Sequence, residues 1–180
     1  MEIGMKVLLS GLLGAGCTEV AQILAKQKNA KVVNSVEAIK DIIGERGQSF
    51  QLFERESRSG EFDLDALLRN KALEYLEEFD NLIIEGRLAL LVLDRTFDLK
   101  AFLTATLEDR IAHVASRRNI AKEQAAKIVH HSDRERERVV EKLYDQPLDL
   151  CRFDVVLNTS TYGFDRAART LAEFLEIAKH

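Results

Sequence analysis

Residues Gly11–Thr18 read "GLLGAGCT". The spacing is that of a loop that cradles phosphate, Gly-x-x-x-x-Gly-Lys-[Ser/Thr], with Cys17 standing where the lysine belongs. Upstream, "KVLLS" at Lys6–Ser10 is a short apolar run; downstream, "TEVAQILAK" at Thr18–Lys26 sets Val20, Ile23 and Leu24 on one helical face. Strand, glycine loop and helix in that order bring backbone N–H groups and a positive helix end to the carboxyl edge of a parallel sheet, where such folds bind ligands. Gly11, Gly14 and Gly16 permit close approach and positive φ, Ala15 and Cys17 belong to the same cradle, and Thr18 offers a hydroxyl to Mg²⁺.

The pattern repeats outward from this loop. "KVV" at Lys31–Val33 is a second strand, followed by a helix that Asn34 or Ser35 caps and that ends near Gly47. From Gln48 to Phe79 the chain is polar and helical, broken around Gly60, and reads as an inserted small lobe. "NLIIEGR" at Asn81–Arg87 has a buried-strand pattern, and "DLKAFLTAT" at Asp98–Thr106 gives another strand with a helix running on through Arg118. A charged helical stretch covers Lys122–Leu143, "FDVVLNTS" returns to strand, and an amphipathic helix closes the chain from Phe164 to Lys179. Short apolar strands alternating with helices predict an α/β fold, a parallel sheet covered on both faces. Without internal repeats or linkers, and with Pro147 as its only proline, the chain reads as one domain.

Composition narrows the partners. The net charge of −4, from 30 acids and 26 bases, gives no global basic surface for nucleic acid or an anionic membrane, so any phosphate recognition is local. Cys17 and Cys151 make no disulfide framework and suit a reducing compartment, which places the protein in the cytoplasm by expectation. "MKVLLSGLLGAGC" resembles a lipoprotein signal, but Glu2, Gly14 and the helix pattern that starts at Cys17 argue against that reading. No other apolar run approaches the ~20 residues of a membrane span. The expected partners are small molecules, and the expected state is a monomer or a weak homo-oligomer.

Five segments together carry a resemblance: "GLLGAGCTEVAQILA", "ERGQSF", "IIEGRLA", "FLTATLEDRIAHVASRR" and "FDVVLNTS". Over nearly the whole chain and in this order they resemble the cytidylate kinases, especially the short archaeal-type and cytidylate-kinase-like branches of the nucleoside monophosphate kinases. The resemblance implies a five-stranded parallel sheet, a monophosphate-binding lobe at about residues 35–79 and an arginine-rich helical lid at about 117–143. It implies ATP and Mg²⁺ as cofactors and CMP or dCMP as acceptor. Carried over by position, Ser35 and Lys40 fall in the acceptor pocket, Lys40 where an arginine is common, and Arg87 of "EGR" is aimed at the acceptor phosphate. Glu85 either joins Thr18 near Mg²⁺ or is a structural partner for Arg87. In "SDRERERVVEK", Arg138 matches the lid arginine, Arg134 shares its helical face, and His131 stands where another arginine is expected. His130 and His131 read as surface residues, since no third ligand has metal-site spacing.

Cys17, Lys40 and His131 are thus three departures at phosphate-contacting places. Two functions compete: an ATP-dependent kinase of CMP or dCMP, and a degenerate relative that binds nucleotide as a sensor or partner-binding module. The second is favoured if no neighbouring cation replaces the missing ones. Cys17 itself is either a reactive thiol at a helix N-terminus or a small filler, and the absence of any Cys-x-x-Cys favours the filler. Restoring the lysine by Cys17→Lys is expected to strengthen binding of ATP relative to AMP.

Overall fold

Met5–Gly11 form strand β1, whose side chains are buried on both faces of the sheet, as a central parallel strand requires. The computed structural model describes residues 4–177. Beside β1 lie β3 (Asn81–Glu85) and β4 (Leu99–Thr104), and the outer strands are β2 (Lys31–Val33) and β5 (Val155–Asn158). All pairings are parallel, in the order β2-β3-β1-β4-β5, with Val7 level with Ile83 on one side and Leu99 on the other. The helices are α1 (Cys17–Lys28), α2 (Ser35–Arg46), α3 (Phe50–Ser59), α4 (Leu64–Glu78), α5 (Arg87–Leu90), α6 (Leu107–Arg118), α7 (Lys122–Tyr144) and α8 (Thr159–Ile177), the last kinked at Gly163.

Alternation along β1 divides the core. Val7 and Leu9 pack under α1 and α8, together with Ile83 and Leu103. Leu8 faces the other way with Leu82 and Ile84, and meets residues of α2–α5 and Val139 and Val140 of α7. A smaller cluster of Val114, Ala125 and Val129 joins α6 to α7. The capping signals stand where the sequence places them: the Asn34 side chain accepts from the N–H groups of Val36 and Glu37, and Gly47 and Gly60 end α2 and α3 in the left-handed region.

Three boundaries differ from the sequence pattern. The third strand does not run to Arg87, because Gly86 takes φ 71°, ψ −136°, a conformation open essentially to glycine alone. Its N–H donates to the Leu9 carbonyl (2.9 Å) and its carbonyl accepts from Ser10 Oγ (3.0 Å), so Arg87 opens α5 instead. Gly11 is the last strand residue rather than a loop residue of positive φ; a Cβ there would stand 2.5 Å from the Leu103 carbonyl oxygen. The final helix begins at Thr159, ahead of Phe164, and its expected end at Lys179 lies outside the described residues. Met1 and Glu2 of the signal-like stretch also lie outside them, but cleavage before Cys17 would remove β1, the middle of the sheet. No helix among the described residues is long and apolar enough to cross a membrane.

Leu171 on α8 is fully buried in the cluster shared with α1. Leu171→Ala is expected to destabilise the protein by about 2–5 kcal/mol, read as a lower denaturant midpoint at unchanged slope. A loss under about 1 kcal/mol would contradict this packing.

Candidate active site

The loop Leu12–Gly16 is shaped from outside. Gly14 (φ 88°) and Gly16 (φ 89°) are both left-handed, and neither has room for a side chain. A Cβ on Gly14 would sit 2.6 Å from the Arg110 carbonyl oxygen of α6, and one on Gly16 would sit 2.2 Å from the Phe164 ring of α8. The loop carbonyls are tied back in turn. Arg136 Nε donates to Gly11 O (2.9 Å), Ala15 N to Leu12 O (3.0 Å) and Thr159 Oγ1 to Ala15 O (2.9 Å), while His113 Nδ1 lies 3.0 Å from Gly14 O. Successive peptides held by their oxygens leave N–H groups as the free poles of the loop, the geometry of an anion-binding nest. Leu12 and Ala15 are the exceptions, their N–H groups donating to Leu103 O (3.1 Å) and Leu12 O (3.0 Å).

Beyond the loop, Glu85 ends β3 almost wholly buried. Its Oε1 accepts from Thr18 Oγ1 (3.0 Å) and from Asn34 Nδ2 (2.9 Å). Burial pushes its carboxyl above the usual range, and the two hydrogen bonds pull it partly back. A hydroxyl and a carboxylate in contact beside a glycine loop suit a hard cation that keeps several waters. Among the described residues no group of three or more His, Cys, Asp or Glu side chains is placed to hold a metal by itself.

Three arginines frame the rest. Arg87, at the head of α5, donates from Nη2 to Asp65 Oδ1 of α4 (2.6 Å), and its buried Nε has no partner. Arg110 of α6 donates both Nη groups to Asp133 Oδ2 of α7 (3.0 and 2.5 Å). Arg136 of α7 is only 8% exposed, and burial, with Arg87 and Arg110 adding repulsion, lowers its pKa. Gly16, Thr18, Ser35, Glu85, Arg87 and Arg136 all line one cleft of about 270 Å³.

Comparison with known proteins agrees with this geometry. The sequence profile of the cytidylate kinase-like family matches residues 7–161. The chain is 30% identical to a cytidylate kinase of Methanopyrus kandleri, over 91% of this chain and 89% of that one. It is 28% identical to a cytidylate kinase of Sulfolobus acidocaldarius, over 87% and 86% of the two chains. The chain belongs to the cytidylate kinase-like family. Its fold also matches an uncharacterized protein from Eubacterium ventriosum (TM-score 0.73, 17% identity, 97% and 99% coverage) and a shikimate kinase from Bacteroides thetaiotaomicron (0.63, 16%, 96% and 98%). Family and fold together support a nucleotide-using kinase.

Within this cytidylate kinase-like chain the residues singled out by sequence separate into two groups. Gly14, Gly16, Cys17, Thr18, Ser35, Glu85 and Arg87 gather at the cleft. Lys40 does not: it is exposed on α2 and paired with Glu37 (3.2 Å). Arg134 is exposed, as is Arg138, which is paired with Glu135 (2.8 Å), while the arginine between them, Arg136, turns inward. The buried face of α7 carries Ala125, Val129, Val139 and Val140, and Arg136 lies in that stripe. Asn34, His113 and Thr159 also escaped the sequence reading. Asn34 was legible only as a cap, and nothing local marks the other two.

The thiol of Cys17 is buried, and desolvation, with the Glu85 carboxylate adding to it, pushes its pKa up to about 12, outweighing Arg136 and the helix N-terminus. This overturns the reactive reading: Cys17 is a filler, its Sγ where a Cβ on Gly11 would approach to 2.8 Å. An aromatic disulfide reagent is therefore expected to titrate one thiol, the exposed Cys151, in the native protein and two after unfolding. Equal native rates for both would contradict the burial of Cys17.

Proposed function

We propose that this chain is an ATP-dependent nucleoside monophosphate kinase with CMP or dCMP as acceptor, acting in the cytoplasm as a monomer or weak homo-oligomer. The observation that carries this reading is Arg136, a buried guanidinium bonded to the end of the very strand whose loop lacks its lysine. The sensor alternative rested on there being no neighbouring cation, and Arg136 is one. The similarity to the cytidylate kinases of Methanopyrus kandleri and Sulfolobus acidocaldarius supports the cytidine acceptor.

When bound, ATP supplies the phosphoryl group and Mg²⁺ neutralises its oxygens. In this reading the N–H groups around Gly14 and Gly16 hold the donor phosphates, and Thr18 with Glu85 would hold Mg²⁺. Asn34 fixes one Glu85 oxygen in place. Arg87 and Ser35, whose buried Nε and Oγ lack partners, face the acceptor phosphate. Helices α2–α4 form the acceptor lobe, α6 and α7 form the lid, and Arg136 of α7 offers charge to the group in transfer. A screen of CMP, dCMP, UMP and AMP with ATP and Mg²⁺ tests this by ADP formation. CMP or dCMP should give the highest kcat/KM, whereas binding without ADP would return the protein to the sensor class.

Arg136→Met is expected to lower kcat about 10²–10³-fold, the cost of removing one preorganised donor, while Arg138→Ala stays within about twofold. Thermal melts of both variants control for folding. The reverse ranking would move the lid charge back to Arg138.

Cys17→Lys now has a different expected outcome from the one its sequence suggests. An ammonium there would be crowded against Arg136, so ATP affinity should stay level or fall. In the Arg136→Met background the same lysine should recover part of the lost affinity, a coupling that calorimetry on the four proteins measures. Equal effects in both backgrounds would show that the two cations do not share a place.

A further inference from the structure

His113 is absorbed by none of the roles above, yet it touches the loop directly. Its Nδ1 lies 3.0 Å from the Gly14 carbonyl oxygen and its Nε2 lies 3.1 Å from Glu19 Oε1 on α1. Both ring nitrogens therefore face oxygens, and Arg117 stands 3.8 Å from the same Glu19 oxygen.

The ring is also stacked. His113 lies on Phe164 (centroids 5.2 Å apart, planes at 34°), and Phe164 is the ring that leaves Gly16 no room for a side chain. One unit, His113 over Phe164, thus touches both left-handed glycines of the loop, His113 at the Gly14 carbonyl and Phe164 against Gly16. The Gly14–Ala15 peptide is held at its two ends, the carbonyl by His113 and the N–H by Leu12 O (3.0 Å).

We propose that His113 is the clamp that sets the phosphate loop and so controls affinity for the nucleotide donor. The kinase reading supplies the ligand, but the clamp is a property of the free protein. Other charged groups at this face are Glu19 on α1, Arg110 and Arg117 on its own helix, Glu85 at the end of β3, Arg87 on α5 and Arg136 on α7, while α8 presents Phe164. With the His113 ring nitrogens removed, the Gly14 carbonyl loses its tie to α6 and Glu19 loses its tie to the same ring.

The test has two arms. In the first, ATP–Mg²⁺ binding by calorimetry compares wild type with His113→Phe, which keeps the stack and removes both ring nitrogens. His113→Phe should bind ATP about tenfold more weakly, with CMP affinity unchanged. His113→Asn, which keeps a donor, should recover part of the loss. In the second arm, nitrogen-15 spectra of the free proteins should show the Gly14 and Ala15 amide shifts moving in His113→Phe. Unmoved amides, or equal ATP affinity of wild type and His113→Phe, would overturn the clamp. Absence of any ATP binding to wild type would sink the kinase reading instead, and the spectra would then decide the clamp alone.

Discussion

The site is organised around a guanidinium that has been taken out of water without receiving a carboxylate of its own. Arg136 donates to the Gly11 carbonyl and to Ser132, both neutral groups. Asp133, the acid next to it in the network, is already engaged by both Nη groups of Arg110. Removing a cation from water costs several kcal/mol, and a carbonyl offsets only part of that. The cost is borne by the packing of Val129, Val139 and Val140 on the same face of α7, and by the anchoring of its end, where Tyr144 Oη donates to Leu90 O (2.8 Å) and accepts from Leu93 N (3.1 Å). With Arg87 bringing a second positive group to the same cleft, the arrangement calls for an anionic ligand. On the reading proposed above, a phosphate held by the loop meets that demand.

Most of the sheet was legible in the sequence because its strands are buried on both sides and so appear as unbroken apolar runs. The breaks at Asn34, Gly47 and Gly60 were legible because capping is local chemistry. What could not be read is what depends on contacts across the chain. The turn at Gly86 is fixed by Leu9 and Ser10 of a different strand. Helix α5 sits at the head of a run, Leu88–Leu93, buried throughout, which leaves no periodicity to see. The spacing of Arg134 and Arg138 correctly placed them on one face of a helix, but spacing alone does not say which face turns inward. The valines of α7 do, and Arg136 lies in their register.

His113 and Thr159 escaped for a related reason. Each holds a carbonyl of the loop from more than ninety residues away in sequence, and neither has a neighbour whose pattern hints at it. A phosphate loop read as a motif looks self-contained only because the motif records the glycines and not what presses on them. Here Gly14 and Gly16 are required by Arg110 and Phe164, so the loop's conformation belongs to α6 and α8 as much as to its own residues.

That dependence bears on what a lysine inside the loop would do. In the usual motif the charge rides on the loop and is present whatever the rest of the domain does. In this chain, on the reading proposed above, the charge comes from α7, and its position rests on the Arg110–Asp133 pair and on the small cluster of Val114, Ala125 and Val129 that joins α6 to α7. Loosening that cluster would weaken phosphate binding without altering any residue of the loop. On that reading the electrostatics of the donor site are coupled to the seating of α7, and the substitution at Cys17 is the reason they are.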